Sequence, residues 1–261
     1  MERITSKDNE KVKLLVRLQN SRRAREESGL FAVEGVRLAQ EVLDGNLAVQ
    51  QAFATDSAAK RYAAIWDTLC QRAKAAFLIA ESLEEKISAV QSPQGIYCIC
   101  GMPRRMQQDI PRSGGKFLAL DRLQDPGNLG TIIRTADAFG ASGIILGGEC
   151  ADCFSPKVVR STMGGVFRLP VWKTPDLAGT LAMLSREGFA CFGAALDETA
   201  IQLGQAIFPE RTVAVVGNEG NGISPEVLAA CQQTLYIPMK GKAESLNAGV
   251  AASLILWEMC R

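Results

Sequence analysis

Residues 116–136, KFLALDRLQDPGNLGTIIRTA, decide the fold. Residues 116–120 form a short apolar run without the polar alternation of a half-exposed strand, which predicts a strand buried on both faces. An Asp-Pro-Gly turn follows, and residues 128–139 read as a helix that Asn128 can cap. A buried strand feeding a helix through a polar turn is half of a parallel βα unit. The same rhythm recurs downstream. Strands are predicted at 143–146, from Val171, and at 189–196, 212–216 and 235–237, with helices at 157–162, 178–187, 225–231 and 245–260. Residues 116–261 therefore predict an α/β domain built on a parallel sheet.

Working back from that stretch, residues 101–115 (GMPRRMQQDIPRSGG) interrupt the pattern with two prolines, three arginines and a Ser-Gly-Gly run. They predict a linker over 104–115. Residues 1–103 form a second α/β segment. Its predicted helices cover 7–25, 36–43, 58–72 and 83–90, and its predicted strands lie within 29–35, 49–55, 76–80 and 95–100.

Composition narrows the chemistry. The 261 residues carry a net charge of only +1, so a nucleic-acid partner must be sought in local clusters. Residues 1–25 hold such a cluster, an excess of five positive charges that includes Arg22, Arg23 and Arg25. It reads either as a set of phosphate contacts or as a solvated helix face. No apolar run is long enough to span a bilayer, and no signal-peptide core is present, which points to the cytoplasm and away from membranes. The chain has no histidine, which removes the commonest general base, every Ser-His-Asp or Cys-His arrangement and every histidine-containing zinc site. Cys150 and Cys153 form a lone C-x-x-C. Completing a zinc site would take Cys98 and Cys100 from the other domain, so they read as small thiols near a strand end and no metal is expected.

Three loops put glycines and hydrogen-bonding side chains at strand ends, where open α/β sheets hold ligands. They are 120–136, 216–224 (VGNEGNGIS) and 237–247 (IPMKGKAESLN). Neither G-x-G-x-x-G nor G-x-x-x-x-G-K-[ST] occurs, which argues against Rossmann and P-loop readings. Taken together, Asn128-x-Gly130-x-x-x-Arg134, Gly217-Asn218-Glu219-Gly220, and Ile237-Pro238-Met239 with Ser245-Leu246-Asn247 closely resemble the three ordered motifs of the SpoU/TrmH (SPOUT) RNA ribose methyltransferases. That resemblance spans residues 116–261. A softer one, through Phe31–Arg37 (FAVEGVR) and 93–96 (PQGI), links residues 1–103 to the family's ribosomal-protein-like substrate-binding domain. The two-domain layout resembles the members that modify ribosomal RNA.

The resemblance implies a deep C-terminal trefoil knot, an exception to the unknotted rule, with S-adenosylmethionine as cofactor. It assigns cofactor contacts to Leu196, Gly217, Ile237, Pro238, Met239 and Leu246, and a homodimer through the catalytic domain. It gives the central role to Arg134, as base or, equally well for a guanidinium of such high pKa, as a grip on the adjacent phosphate and the developing alkoxide. Asn128 and Ser245 orient ribose and Arg134, Glu219 fixes Arg134 or Asn128, and Asn247 holds the cofactor loop. The implied substrate is ribosomal RNA, free or in a pre-ribosomal particle. Alternatives are a non-catalytic RNA-binding or ribosome-assembly protein, and a transfer-RNA ribose methyltransferase.

Overall fold

A computed structural model describes residues 1–103, 105–243 and 245–261; Arg104, the first residue of the expected linker, lies outside the described residues. The chain divides into two units, Met1–Pro103 with Phe154–Phe167, and Arg104–Cys153 with Arg168–Arg261.

In the first unit, strands β1 (Glu2–Ile4), β2 (Leu30–Glu34), β3 (Val49–Thr55), β4 (Ala75–Ile79) and β5 (Ile96–Gly101) form a sheet in the order β1-β4-β3-β5-β2. β1, β4 and β3 run parallel, while β5 is antiparallel to both β3 and β2. β1 is three residues long, too short to show a periodic pattern. Two expected helices are each broken. The 7–25 helix becomes Glu10–Asn20 and Arg22–Ser28, because Ser21 takes an extended conformation (φ −125°, ψ 112°) and its hydroxyl accepts the Ala24 amide, capping the second helix. The 58–72 helix splits at Tyr62 into Asp56–Arg61 and Ala63–Arg72, with the Thr55 side chain capping the first piece. Phe53 and Phe77, with ring centroids 5.4 Å apart, sit in a core with Tyr97 and Ile99.

The segment Phe154–Phe167 lies in the 116–261 stretch by sequence but packs in the first unit. The rings of Phe154 and Phe167 stand 4.8 and 5.8 Å from that of Phe31, which is fully buried in β2.

The second unit holds β6 (Gly115–Leu120), β7 (Gly143–Leu146), β8 (Val171–Lys173), β9 (Ala190–Ala194), β10 (Ile201–Gln202), β11 (Arg211–Val216) and β12 (Gln233–Tyr236). All are parallel, in the order β10-β12-β9-β11-β6-β7-β8. Phe117, Leu118, Ala119 and Leu120 are fully buried, the two-sided burial that the unbroken apolar run predicts. Phe117 packs edge-on against Trp172 and beside Phe189, anchoring the core. The chain leaves β12, crosses residues 237–247 and ends in the helix Ala248–Cys260, which packs on the helix Pro126–Ala138. That return places the ends of three loops together.

Candidate active site

The loop after β6 begins the site. Asp125, not Asn128, caps the Pro126–Ala138 helix; its carboxylate accepts the Asn128 amide at 2.7 Å, with proline in the first turn. An aspartate directly before proline is the stronger start signal, so Asn128 becomes an early helical residue with its side chain free for other work. Asp121, buried at the end of β6, accepts the Ser224 amide at 2.7 Å and ties this loop to the one after β11.

The loop after β11 is closed by its own backbone. Asn218 and Gly222 exchange N–H···O bonds of 2.9 and 3.0 Å. The Asn218 side chain accepts the Gly220 and Asn221 amides and donates to the Arg122 carbonyl. A Cβ on Gly217 would lie 2.1 Å from the Gly222 carbonyl carbon, so only glycine permits this closure. The fold thus demands Gly217 before any ligand does.

A relay of side chains joins the three loops. Asn128 donates through Nδ2 to Glu219 at 2.9 Å, and its Oδ1 accepts from Asn247 Nδ2 at 2.9 Å. Asn247 Oδ1 accepts the Gly249 and Val250 amides at 2.9 and 3.3 Å and so caps the last helix. Both ends fix the polarity. An ionised carboxylate can only accept and a helix N-terminus can only donate, so each amide has one workable orientation. Glu219 also accepts the Asp125 and Gln124 amides at 3.2 and 3.4 Å. Burial pushes the Glu219 carboxyl up, but the hydrogen bonds from Asn128 and the loop amides outweigh it and hold the group below its ordinary value.

Gly249 completes the approach. A Cβ there would meet Asn247 Oδ1 at 3.1 Å and Asn128 Oδ1 at 3.4 Å. Gly249, Asp125, Asn218 and Asp121 take on roles here that the sequence pattern does not assign them. The Asp-Pro pair was a legible cue for Asp125; the other three gain their roles only from contacts between loops.

The remaining expected residues behave differently. Arg134 is exposed and has no hydrogen-bond or ion-pair partner among the described residues, so the residue Glu219 fixes is Asn128. Six residues apart on one helix, Asn128 and Arg134 project about 120° from each other around its axis. Ser245 is exposed, without a hydrogen bond among the described residues. The last helix starts at Ala248, three residues later than the 245–260 pattern suggests, because Asn247 is its cap. Ile237 and Leu246 are half-buried, while Pro238 and Met239 are exposed. Leu196 lies beyond β9, which stops at Ala194, and is 83% exposed, so it is uncovered and off the expected strand end.

The expected RNA-contact trio is corrected at Arg25. That side chain is buried, and its guanidinium donates to the Leu18 and Gln19 carbonyls at the end of the preceding helix. It serves as an internal cap and cannot reach a phosphate. Arg22 and Arg23 are exposed, but pair with Glu26 and Glu27 one turn on. Cys150 and Cys153 are buried, with the Cys150 thiol donating to the Leu120 carbonyl.

Residues 115–257 match the model of the SpoU rRNA methylase family, and residues 9–98 match that of the MRM3-like substrate-binding domain. The chain belongs to the SpoU rRNA methylase family. It is 34% identical over 260 residues to a Bacillus subtilis protein described as 23S rRNA (guanosine(2553)-2′-O)-methyltransferase RlmP, covering 99% of each chain. An AdoMet-bound rRNA methyltransferase from Sinorhizobium meliloti superposes with a TM-score of 0.87 at 30% identity, over 99% of this chain and 97% of that one. The SpoU methyltransferase AviRb from Streptomyces viridochromogenes, in complex with AdoMet, gives 0.85 at 29% identity over 97% of each. Within this family, the relay that joins Asn128, Glu219 and Asn247 falls on all three motif loops.

Proposed function

We propose that the protein transfers a methyl group from S-adenosylmethionine to a ribose 2′-hydroxyl of ribosomal RNA. The observation that carries this reading is the relay itself. It spends the polar groups of Asn128, Glu219 and Asn247 on one another and leaves Arg134 and Ser245 unspent beside them in the sequence motifs. A relative of full-length similarity named for 23S rRNA modification supports ribosomal over transfer RNA.

The cofactor fits the residues present. No backbone amide from Ile237 to Leu246 donates to a backbone carbonyl among the described residues, which leaves donors for a heterocycle next to half-buried Ile237 and Leu246. Gly217, Pro238 and Met239 belong to the same loops, and Leu196 is an exposed apolar side chain available for covering contact. When bound, S-adenosylmethionine supplies a sulfonium-activated methyl, so the protein's task is chiefly positioning. Arg134 holds the phosphate beside the target ribose and stabilises negative charge on the 2′-oxygen as its proton leaves to phosphate or water. With no histidine in the chain, no imidazole competes for that role. Ser245 orients the ribose, and the relay keeps the three loops in register.

The division of roles is that the first unit, Met1–Pro103 with Phe154–Phe167, holds RNA and the second carries the reaction; part of the expected 104–115 linker is built into the second unit, with Ile110 in its core and Gly115 opening β6. The order β9-β11-β6, with the last helix returning to the Pro126–Ala138 helix through Asn247, supports a trefoil knot around residues 217–247. The last helix exposes Val250, Leu254 and Trp257 at one-turn spacing, with Trp257 edge-on to Phe139. That apolar face supports a homodimer. No helix of the described residues is long and apolar enough to cross a membrane; a ribosomal RNA substrate, the kind named for the Bacillus subtilis relative, supports a cytoplasmic site of action.

Incubation with methyl-labelled S-adenosylmethionine and ribosomal RNA, followed by digestion to nucleosides, tests the reading. Label should appear in a 2′-O-methyl nucleoside. Label on a base would overturn it. Calorimetry without cofactor binding would favour the non-catalytic RNA-binding alternative.

A further inference from the structure

The first unit contains a cleft of about 690 Å³ between the Glu10–Asn20 helix and the helix Glu81–Ile87. Its base is apolar, formed by Val12, Val16 and Leu83, and its rim carries Lys7, Lys13, Arg17 and Lys86. No carboxylate lines it. Among the eight cations of residues 1–25, five pair with acids: Arg3 with Asp56, Lys11 with Glu2, Lys13 with Glu10, Arg22 with Glu26 and Arg23 with Glu27. A sixth, Arg25, is buried against backbone carbonyls. Lys7 and Arg17 alone have no acidic partner among the described residues, and both stand on the rim of this cleft, with Lys86 equally unpaired.

We propose that this cleft binds an unpaired RNA strand, with phosphates on Lys7, Arg17 and Lys86 and a splayed base against Val12, Val16 and Leu83. Unneutralised cations on one rim match a polyanion. A recessed apolar base has no use for a duplex, which keeps the faces of its bases stacked and shows only their edges, but it accommodates the face of a base that has left its stack. A volume of this size exceeds what a hydrated ion needs and suits a nucleotide. The inference rests on the reading of the protein as an RNA methyltransferase and moves its RNA contacts from the Arg22–Arg25 cluster to the cleft.

The test uses the full chain with the substitutions Lys7→Ala, Arg17→Ala and Lys86→Ala combined, an unpaired uridine oligonucleotide, and a duplex of equal length. All three positions are exposed, so the variant should fold as the wild type does. The wild type should bind the unpaired strand more tightly than the duplex. The variant should bind the unpaired strand more weakly and flatten the slope of log affinity against log salt by up to ~2. In the methyl-transfer assay its KM for RNA should rise while kcat and S-adenosylmethionine affinity hold. A wild type that transfers methyl groups, with an unchanged slope and KM in the variant, overturns the cleft and leaves the enzyme reading standing. The reverse result, a lost slope in a protein that never transfers methyl, keeps the cleft and overturns the enzyme. Equal competition by polyglutamate would assign the cleft to an acidic peptide and also overturn the proposal.

Discussion

At the C-terminal edge of the seven-stranded sheet, Asn128, Glu219 and Asn247 satisfy one another, while Arg134 on the same helix as Asn128 satisfies nothing within the described chain. The N-terminal helices divide in the same way. Arg22 and Arg23 are neutralised one turn along their own helix and Arg25 is turned inward, while Lys7 and Arg17 stay unpaired. In both regions the polar residues split into those used to build the protein and those left over for a ligand. The first kind resists change because its loss leaves partners exposed or buried without bonds. The second kind should be replaceable at small cost in stability and large cost in function.

The sharpest structural test falls on Gly217. Gly217→Ala forces a Cβ against the Gly222 backbone, which cannot retreat without opening the loop, so unfolding should be easier by about 3 kcal/mol or more in urea titration. An unchanged midpoint would mean that the glycine serves the ligand alone. Next comes the pair on the second helix. Arg25→Ala leaves buried carbonyls without a donor and should cost about 1–3 kcal/mol, whereas Arg23→Ala removes an exposed pair worth under about 1 kcal/mol. Equal losses at the two positions would erase the distinction between a buried internal cap and an exposed ion pair.

Asn247→Ala removes a helix cap, costing roughly 1 kcal/mol, and also frees Asn128 Oδ1. Methyl transfer should fall further than that stability loss explains, since the loop after β12 loses its tie to the other two. The smallest effect concerns pH. Because the folded Glu219 carboxyl sits below its ordinary value, its bonds are complete above the usual carboxylate range and are lost only as the pH falls through that lower folded value. The Asn128 side-chain amide resonances should therefore begin to move only in stronger acid, and Glu219→Gln should abolish that titration.

Much of the fold was legible in the sequence. The unbroken apolar runs at 117–120 and 143–146 correspond to buried parallel strands, and the loops singled out by composition are the ones that the Asn128–Glu219–Asn247 relay joins. The misjudged helices failed for local reasons. Ser21 is followed by a charged run of helix-forming residues and Tyr62 sits in a pattern whose apolar spacing continues across it, so neither break is marked by a helix-breaking Gly or Pro. The site was legible in its residues but not in their division of labour. Glu26 and Glu27 sit just beyond the basic cluster, where a charge count over 1–25 misses them. Arg25 looks like its neighbours until the preceding helix ends beside it. Phe154 and Phe167 lie in the C-terminal stretch, yet join the first core through contacts with Phe31 that no local pattern encodes.

The central claim, that leftover groups do the chemistry while spent groups hold the frame, is tested most directly at Arg134. Purified Arg134→Ala should match the wild type in urea midpoint and in calorimetric affinity for S-adenosylmethionine, and transfer methyl to ribosomal RNA about 10²–10³-fold more slowly. Arg134→Lys should recover little of that loss, because it keeps the charge and gives up the planar fork. Wild-type turnover by a folded, cofactor-binding Arg134→Ala protein would contradict the account.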